Sequence, residues 1–175
     1  MKYTLLPASL LAALLLSACA KDDDPTAQLP PETRSGANTF GCLVNGQPWT
    51  PKGYDGTLNY TLYYDRTYRG GNLGLSTYRL NGDIAQYILF GGDSIMSKGT
   101  YSLVQSPRTV YFLDNRRAVG CTETTGKSSP HCRGQLTITR LDMQAGIVSG
   151  TFWFTLYKPG CDSIRVTNGR FDKKL

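Results

Sequence analysis

From residue 38 onward the chain alternates. Val148, Gly150, Phe152, Phe154 and Leu156 interleave with Ser149, Thr151, Trp153 and Thr155. Period two is the repeat of a strand with one face buried. Gln135 to Leu141 repeats it, with Leu136 and Ile138 on one side and Thr137 and Thr139 on the other. Leu58, Tyr60, Leu62 and Tyr64 make a third apolar face, and the stretches 73–80, 86–90, 100–104, 110–113 and 164–171 predict further strands. No window of helical length shows a 3.6-residue period. Asn45-Gly46 and Asn81-Gly82 each separate two such runs, the signature of a type I′ hairpin. Asp142 to Gly146 predicts a longer turn between the two clearest strands, and Asn168-Gly169 a tight turn or a bulge in the last one. Many short antiparallel strands bury their inner faces only by closure or against a second sheet. The expectation is an all-β antiparallel β-sandwich or partly closed barrel of about eight to ten strands.

The first residues break the pattern. Lys2 precedes a run from Thr4 to Leu16 that is almost all Leu and Ala. This is the build of a secretory signal. A spanning helix needs about 20 apolar residues, and this run is shorter and ends in acid. Leu16-Ser17-Ala18-Cys19 resembles the bacterial lipobox, which implies cleavage after residue 18 and a lipid on Cys19. Two or more acyl chains anchor stably. Lys21, Asp22, Asp23 and Asp24 then resemble the surface-export signal of Bacteroidota lipoproteins; the same residues would also serve as a solvated spacer. The expected organisation is a signal peptide at 1–18, a lipidated cysteine with a flexible, proline-containing tether at 19–37, and one domain at 38–175. The expected location is the outer membrane, lipid-anchored and at the cell surface, with a periplasm-facing anchor as the alternative.

Charge refines the partner more than the fold. The chain carries a net +6. Lys2 leaves with the signal and the tether is net −2, so 38–175 holds +7. The export signal argues against nucleic acid, and leaves anionic polysaccharide, lipid headgroups or a dispersed, solvated surplus.

Four cysteines remain beside Cys19: Cys42, Cys121, Cys132 and Cys161. In an exported chain they read as disulfides. Cys121–Cys132 would close a Gly-, Ser- and Pro-containing loop with about 3 kcal/mol of closure entropy. Cys42–Cys161 is the remaining pair. A metal held by Cys121, His131 and Cys132 would need a fourth ligand and reduced thiolates; no metal and no cofactor are expected.

NTFGCLVNGQPWTPKG (38–53), GQLTITRLD (134–142), VSGTFWFTL (148–156) and TNGRFD (167–172) resemble a family of uncharacterised Bacteroidota lipoproteins. Its members open on a VNG-x-x-W hairpin and close on an SGTF…TNGRFD pair. The resemblance covers both ends of the domain and little of its middle. It implies an all-β outer-membrane lipoprotein and carries no activity and no catalytic residues.

His131 is the only histidine, and the two glutamates are Glu32 in the tether and Glu123 in the cysteine loop. A glycosidase could draw on Asp55, Asp65, Asp83, Asp93 or Asp114, but no spacing singles out a pair. The expectation is therefore no catalytic residues and no enzyme. Tyrosines crowd residues 54–78, and aromatic faces with polar edges suit sugar rings. Tyr60 and Tyr64 share a face with leucines and belong to the core. Trp49, Tyr63 and Trp153 fall on opposite faces and are the ligand-binding candidates. The expected partners are the membrane, through the lipid on Cys19, and a glycan; the alternative is an accessory role on another envelope protein.

Overall fold

The computed structural model describes residues 24–126 and 131–175. The predicted signal, Cys19, Lys21, Asp22 and Asp23 lie outside the described residues. Eleven strands follow one another among them: β1 (Thr39–Val44), β2 (Gln47–Trp49), β3 (Tyr60–Asp65), β4 (Asn72–Asn81), β5 (Ile84–Gly92), β6 (Gly99–Ser102), β7 (Arg108–Asp114), β8 (Glu123–Thr125), β9 (Arg133–Asp142), β10 (Ile147–Leu156) and β11 (Ile164–Lys174). They form two antiparallel sheets, β2-β1-β11-β10-β9-β6 and β3-β4-β5-β7-β8. The fold is an open β-sandwich. Three strands, β2, β6 and β8, are only three or four residues long, which lifts the number above the expected range.

Alternation places the core between the sheets. Leu62 and Tyr64 of β3, Leu73 and Leu75 of β4, Ile88 and Phe90 of β5, and Val110 and Phe112 of β7 face Phe152, Phe154, Leu136 and Phe171 of the other sheet. Phe90 meets Phe152 at 4.6 Å between centroids, and Phe40 meets Tyr60 at 5.6 Å. Such pairs add about 1 kcal/mol beyond the area they bury. Leu58 is an exception to the predicted face: β3 begins at Tyr60, and Leu58 is exposed.

The turns follow their glycines. Asn45 and Gly46 both take positive φ, as a type I′ turn requires. The β4–β5 turn is shifted by one residue from the expectation. Asn81 pairs with Ile84, so Gly82 and Asp83 are central, and only Gly82 has positive φ. That is the glycine-first pattern of a II′ turn. Asn168, at φ 52°, is not a turn. It marks a bulge in β11, where the register to β10 shifts between Phe152 and Phe154.

The tether expected through residue 37 is ordered from Asp24 onward. Asp24 caps a 3₁₀ turn at Pro25–Gln28, and Leu29 is buried. Pro30 lies on Gly41 of β1, where a Cβ would come within 2.5 Å of its ring. Thr33 Oγ1 at 2.7 Å and the amides of Ser35, Gly36 and Ala37 at 2.9–3.0 Å donate to the carboxylate of Asp172 on β11. Ser149 Oγ of β10 donates to the same carboxylate at 2.6 Å. Residues 29–37 are thus a strap across the outer face of the six-stranded sheet. A lone buried leucine and a carboxylate that collects backbone N–H groups order a segment with no hydrophobic period.

Both predicted disulfides are replaced by Cys121–Cys161, with Cα atoms 5.6 Å apart. The bond joins the β7–β8 loop to the β10–β11 loop and so staples one sheet to the other. Cys42 is fully buried in mid-β1, away from any loop, and burial pushes its thiol far up. Cys132 is buried where β9 begins, and its Sγ accepts from the Tyr157 amide at 3.2 Å. Neither is bonded to another cysteine among the described residues.

Candidate functional site

Tyr63 is the candidate that the fold leaves open. On β3 the alternation that buries Leu62 and Tyr64 turns Tyr63 outward, 60% exposed. Its register runs across the sheet through Gly74, Gly91 and Thr109. A Cβ at Gly74 would stand 2.1 Å from Tyr63 Cε1, so the ring lies over β4 and only glycine fits beneath it. The adjacent outward row is Thr61, Ser76, Leu89 and Tyr111. The Tyr63 ring covers Gly74, and Gly91 keeps the floor low between that ring and Tyr111. The result is a groove of about 470 Å³ spanning β3 to β7, three interstrand steps or roughly 14 Å. Thr61, Ser76 and Thr109 supply hydroxyls, and among the described residues no charged side chain lines it. Partial burial and a hydrogen bond to Glu123 push the Tyr111 hydroxyl up, so it stays protonated at neutral pH.

Trp49 is not at this surface. It is 2% exposed, packed edge-on against Phe40, with ring centroids 5.7 Å apart. Its Nε1 donates to Gln86 Oε1 at 3.0 Å, and Gln86 Nε2 donates to Asp114 Oδ2 at 2.6 Å. Arg116 closes the chain as a fork on Asp114, Nε to Oδ1 at 3.0 Å and Nη2 to Oδ2 at 2.7 Å. The fork and Gln86 outweigh burial and hold the Asp114 carboxyl below the usual range. Arg79, Gln86 and Asp114 are cross-strand neighbours on the inner face of the five-stranded sheet, one row beyond Thr77, Ile88 and Phe112. The core therefore turns polar at this end and opens into a cleft of about 510 Å³ between the sheets.

The chain matches no protein-family model, no curated protein and no solved structure.

Trp153 lies on the outer face of the six-stranded sheet, 41% exposed, its Nε1 3.3 Å from Gln135 Oε1. It and Tyr63 are on opposite sides of the molecule, so the three aromatic candidates do not converge. Four of the five aspartates weighed as catalytic have carboxylate partners, Asp114 in the Arg116 fork and three others in turns or loops. Asp55 and Asp65 accept from Thr57 and Thr67 two residues on, and Asp93 accepts from Asn72 Nδ2 at 2.6 Å. Each arrangement is a turn or loop clasp. Sequence reasoning missed Tyr111, Gly74 and the row Arg79–Gln86–Asp114. Parity could have found the row, because Gln86 shares the face of Ile88 and Phe90, and Asp114 that of Val110 and Phe112.

Proposed function

We propose that this protein is a lipid-anchored, surface-exposed binding module of the outer membrane, without enzymatic activity, whose outer groove holds an uncharged glycan. The observation that carries the reading is that Tyr63, lying over Gly74, and Tyr111 line one groove with Gly91 between them. Sugar rings stack their C–H faces on aromatic rings and present hydroxyls at their edges. The groove offers two aromatic side chains and three hydroxyl side chains, and the charge beside it, Glu123, is engaged on the Tyr111 hydroxyl. The anchor rests on the lipobox at Leu16–Cys19 and the export signal at Lys21–Asp24. The absence of turnover rests on Asp55, Asp65, Asp93 and Asp114 each being held by neighbouring donors.

The test has two parts. Protease shaving of intact cells, against a periplasmic control, should remove the domain while the control survives. The mature protein on an oligosaccharide array should retain uncharged chains. Protection of the domain until the outer membrane is broken contradicts the surface placement. An array on which no uncharged chain is retained contradicts the glycan reading. A second reading, an accessory role on another envelope protein, is favoured by Met96 and Met143, both exposed around one hollow with Arg66, Lys98 and Arg140. Flexible methionines suit adaptable protein contacts.

A further inference from the structure

The cleft at the polar end of the sandwich is walled by Trp49, Gln86, three arginines and two aspartates. We propose that it is a second binding site, for the oxyanion of a small acidic ligand, with Arg79 as the anchoring charge.

The argument starts from the register. Arg79 belongs to the inward-facing set of β4, after Leu73, Leu75 and Thr77, so its guanidinium enters the space between the sheets and is half-buried there. Among the described residues it makes one hydrogen bond, from Nη1 to the Pro48 carbonyl at 3.1 Å, and no ion pair. Four of the five N–H donors of an arginine remain. A half-buried charge without a counter-ion is costly to retain for structure alone.

No carboxylate among the described residues is paired with it. The carboxylate in the same row, Asp114, is already held by Arg116 and Gln86. Arg117 donates to the Cys121 and Asp162 carbonyls and to Thr124 Oγ1, so its charge also lacks a carboxylate. Asp162 is exposed where it lines the cleft. The balance is one net positive charge. The Trp49–Gln86–Asp114–Arg116 chain fixes the wall, since each donor and acceptor in it has one assigned direction. The Cys121–Cys161 bond and the Arg117–Asp162 contact hold the two sheets at this end, so the cleft is formed before any ligand arrives. Its volume lies in the range of small-molecule sites. A planar guanidinium matches carboxylate and phosphate oxygens with paired N–H bonds.

The mature protein carrying Trp153→Phe leaves Trp49 as its only tryptophan. Calorimetric titration with glucuronate, inorganic phosphate and glucose, with Trp49 emission followed in parallel, tests the proposal. Saturable binding of glucuronate or phosphate is expected, with a change in Trp49 emission that glucose does not produce. Glucuronate bound more tightly than phosphate would identify an acidic sugar; the reverse would identify a phosphorylated ligand. Arg79→Gln should weaken the anion about ten-fold or more, and added salt should weaken it in the unsubstituted protein. Neither anion bound at millimolar concentration, Trp49 emission that responds to glucose as it does to glucuronate, or affinity indifferent to salt would overturn it. These results leave the outer groove untouched, because no cleft residue lines it.

Discussion

Asp172 ties the strap to the six-stranded sheet. It is 1% exposed, yet no cation neutralises it among the described residues. Backbone amides of the strap and the Ser149 and Thr33 hydroxyls outweigh its burial and hold the carboxyl far below its usual range. A lowered carboxylate stabilises the fold at neutral pH. That contribution is present above the unfolded value of about 3.9 and is lost as pH falls through the lowered folded value. The urea midpoint should therefore be level from neutral pH to about 5 and fall steeply below about 4. Asp172→Asn presents an N–H pair where donors already converge. It should cost at least about 2 kcal/mol and flatten the acid limb. Hydrogen exchange should show Ser35, Gly36 and Ala37 protected in the native protein and exposed in the variant. Unchanged protection would mean that the strap is held by Leu29 and Pro30 instead. The aspartate of TNGRFD was visible in the sequence, but its partners were not. Backbone amides leave no mark in a residue pattern, and so 24–37 read as tether.

At the scale of elements, the strands were the legible part. β3, β9 and β10 alternate because each has one face on the core, and their bounds fall close to the predicted runs. The β4–β5 turn slipped by one residue because Asn81 still pairs with Ile84, and glycine alone supplies the positive φ. Trp49 was misplaced because β2 has three residues, too few for parity to fix which side faces in. The disulfide was illegible for a different reason. Pairing depends on which loops meet at one end of the sandwich, and Cys121 and Cys161 are 40 residues apart. A loop of that length is worth about 4 kcal/mol of closure entropy. Cys121→Ser should lower stability by about that amount and loosen the cleft end first, as read by Trp49 emission. Iodoacetamide should label neither Cys42 nor Cys132 in the native state, since both are buried. Rapid native labelling of either would contradict the core assignment.

Across the whole molecule, the strap and the groove lie on opposite faces. The strap starts beside β1 and β2 and crosses the six-stranded sheet, whereas Tyr63 and Tyr111 stand on the five-stranded one. Asp24 is five positions on from Cys19, a reach of at most about 18 Å. A lipid on Cys19 would thus hold the domain close to the bilayer, with the groove on the sheet away from the strap. The groove itself was half legible. Tyr63 stood out by parity, but Tyr111 reaches it only through two intervening strands and two glycines. The most direct test is the affinity of the mature protein for an uncharged oligosaccharide retained on the array, compared among Tyr63→Ala, Tyr111→Ala and Trp153→Ala. Loss of about ten-fold or more in each tyrosine variant, with Trp153→Ala unchanged, is the predicted result. Tyrosine variants that bind like the native protein, or a loss confined to Trp153→Ala, would contradict it.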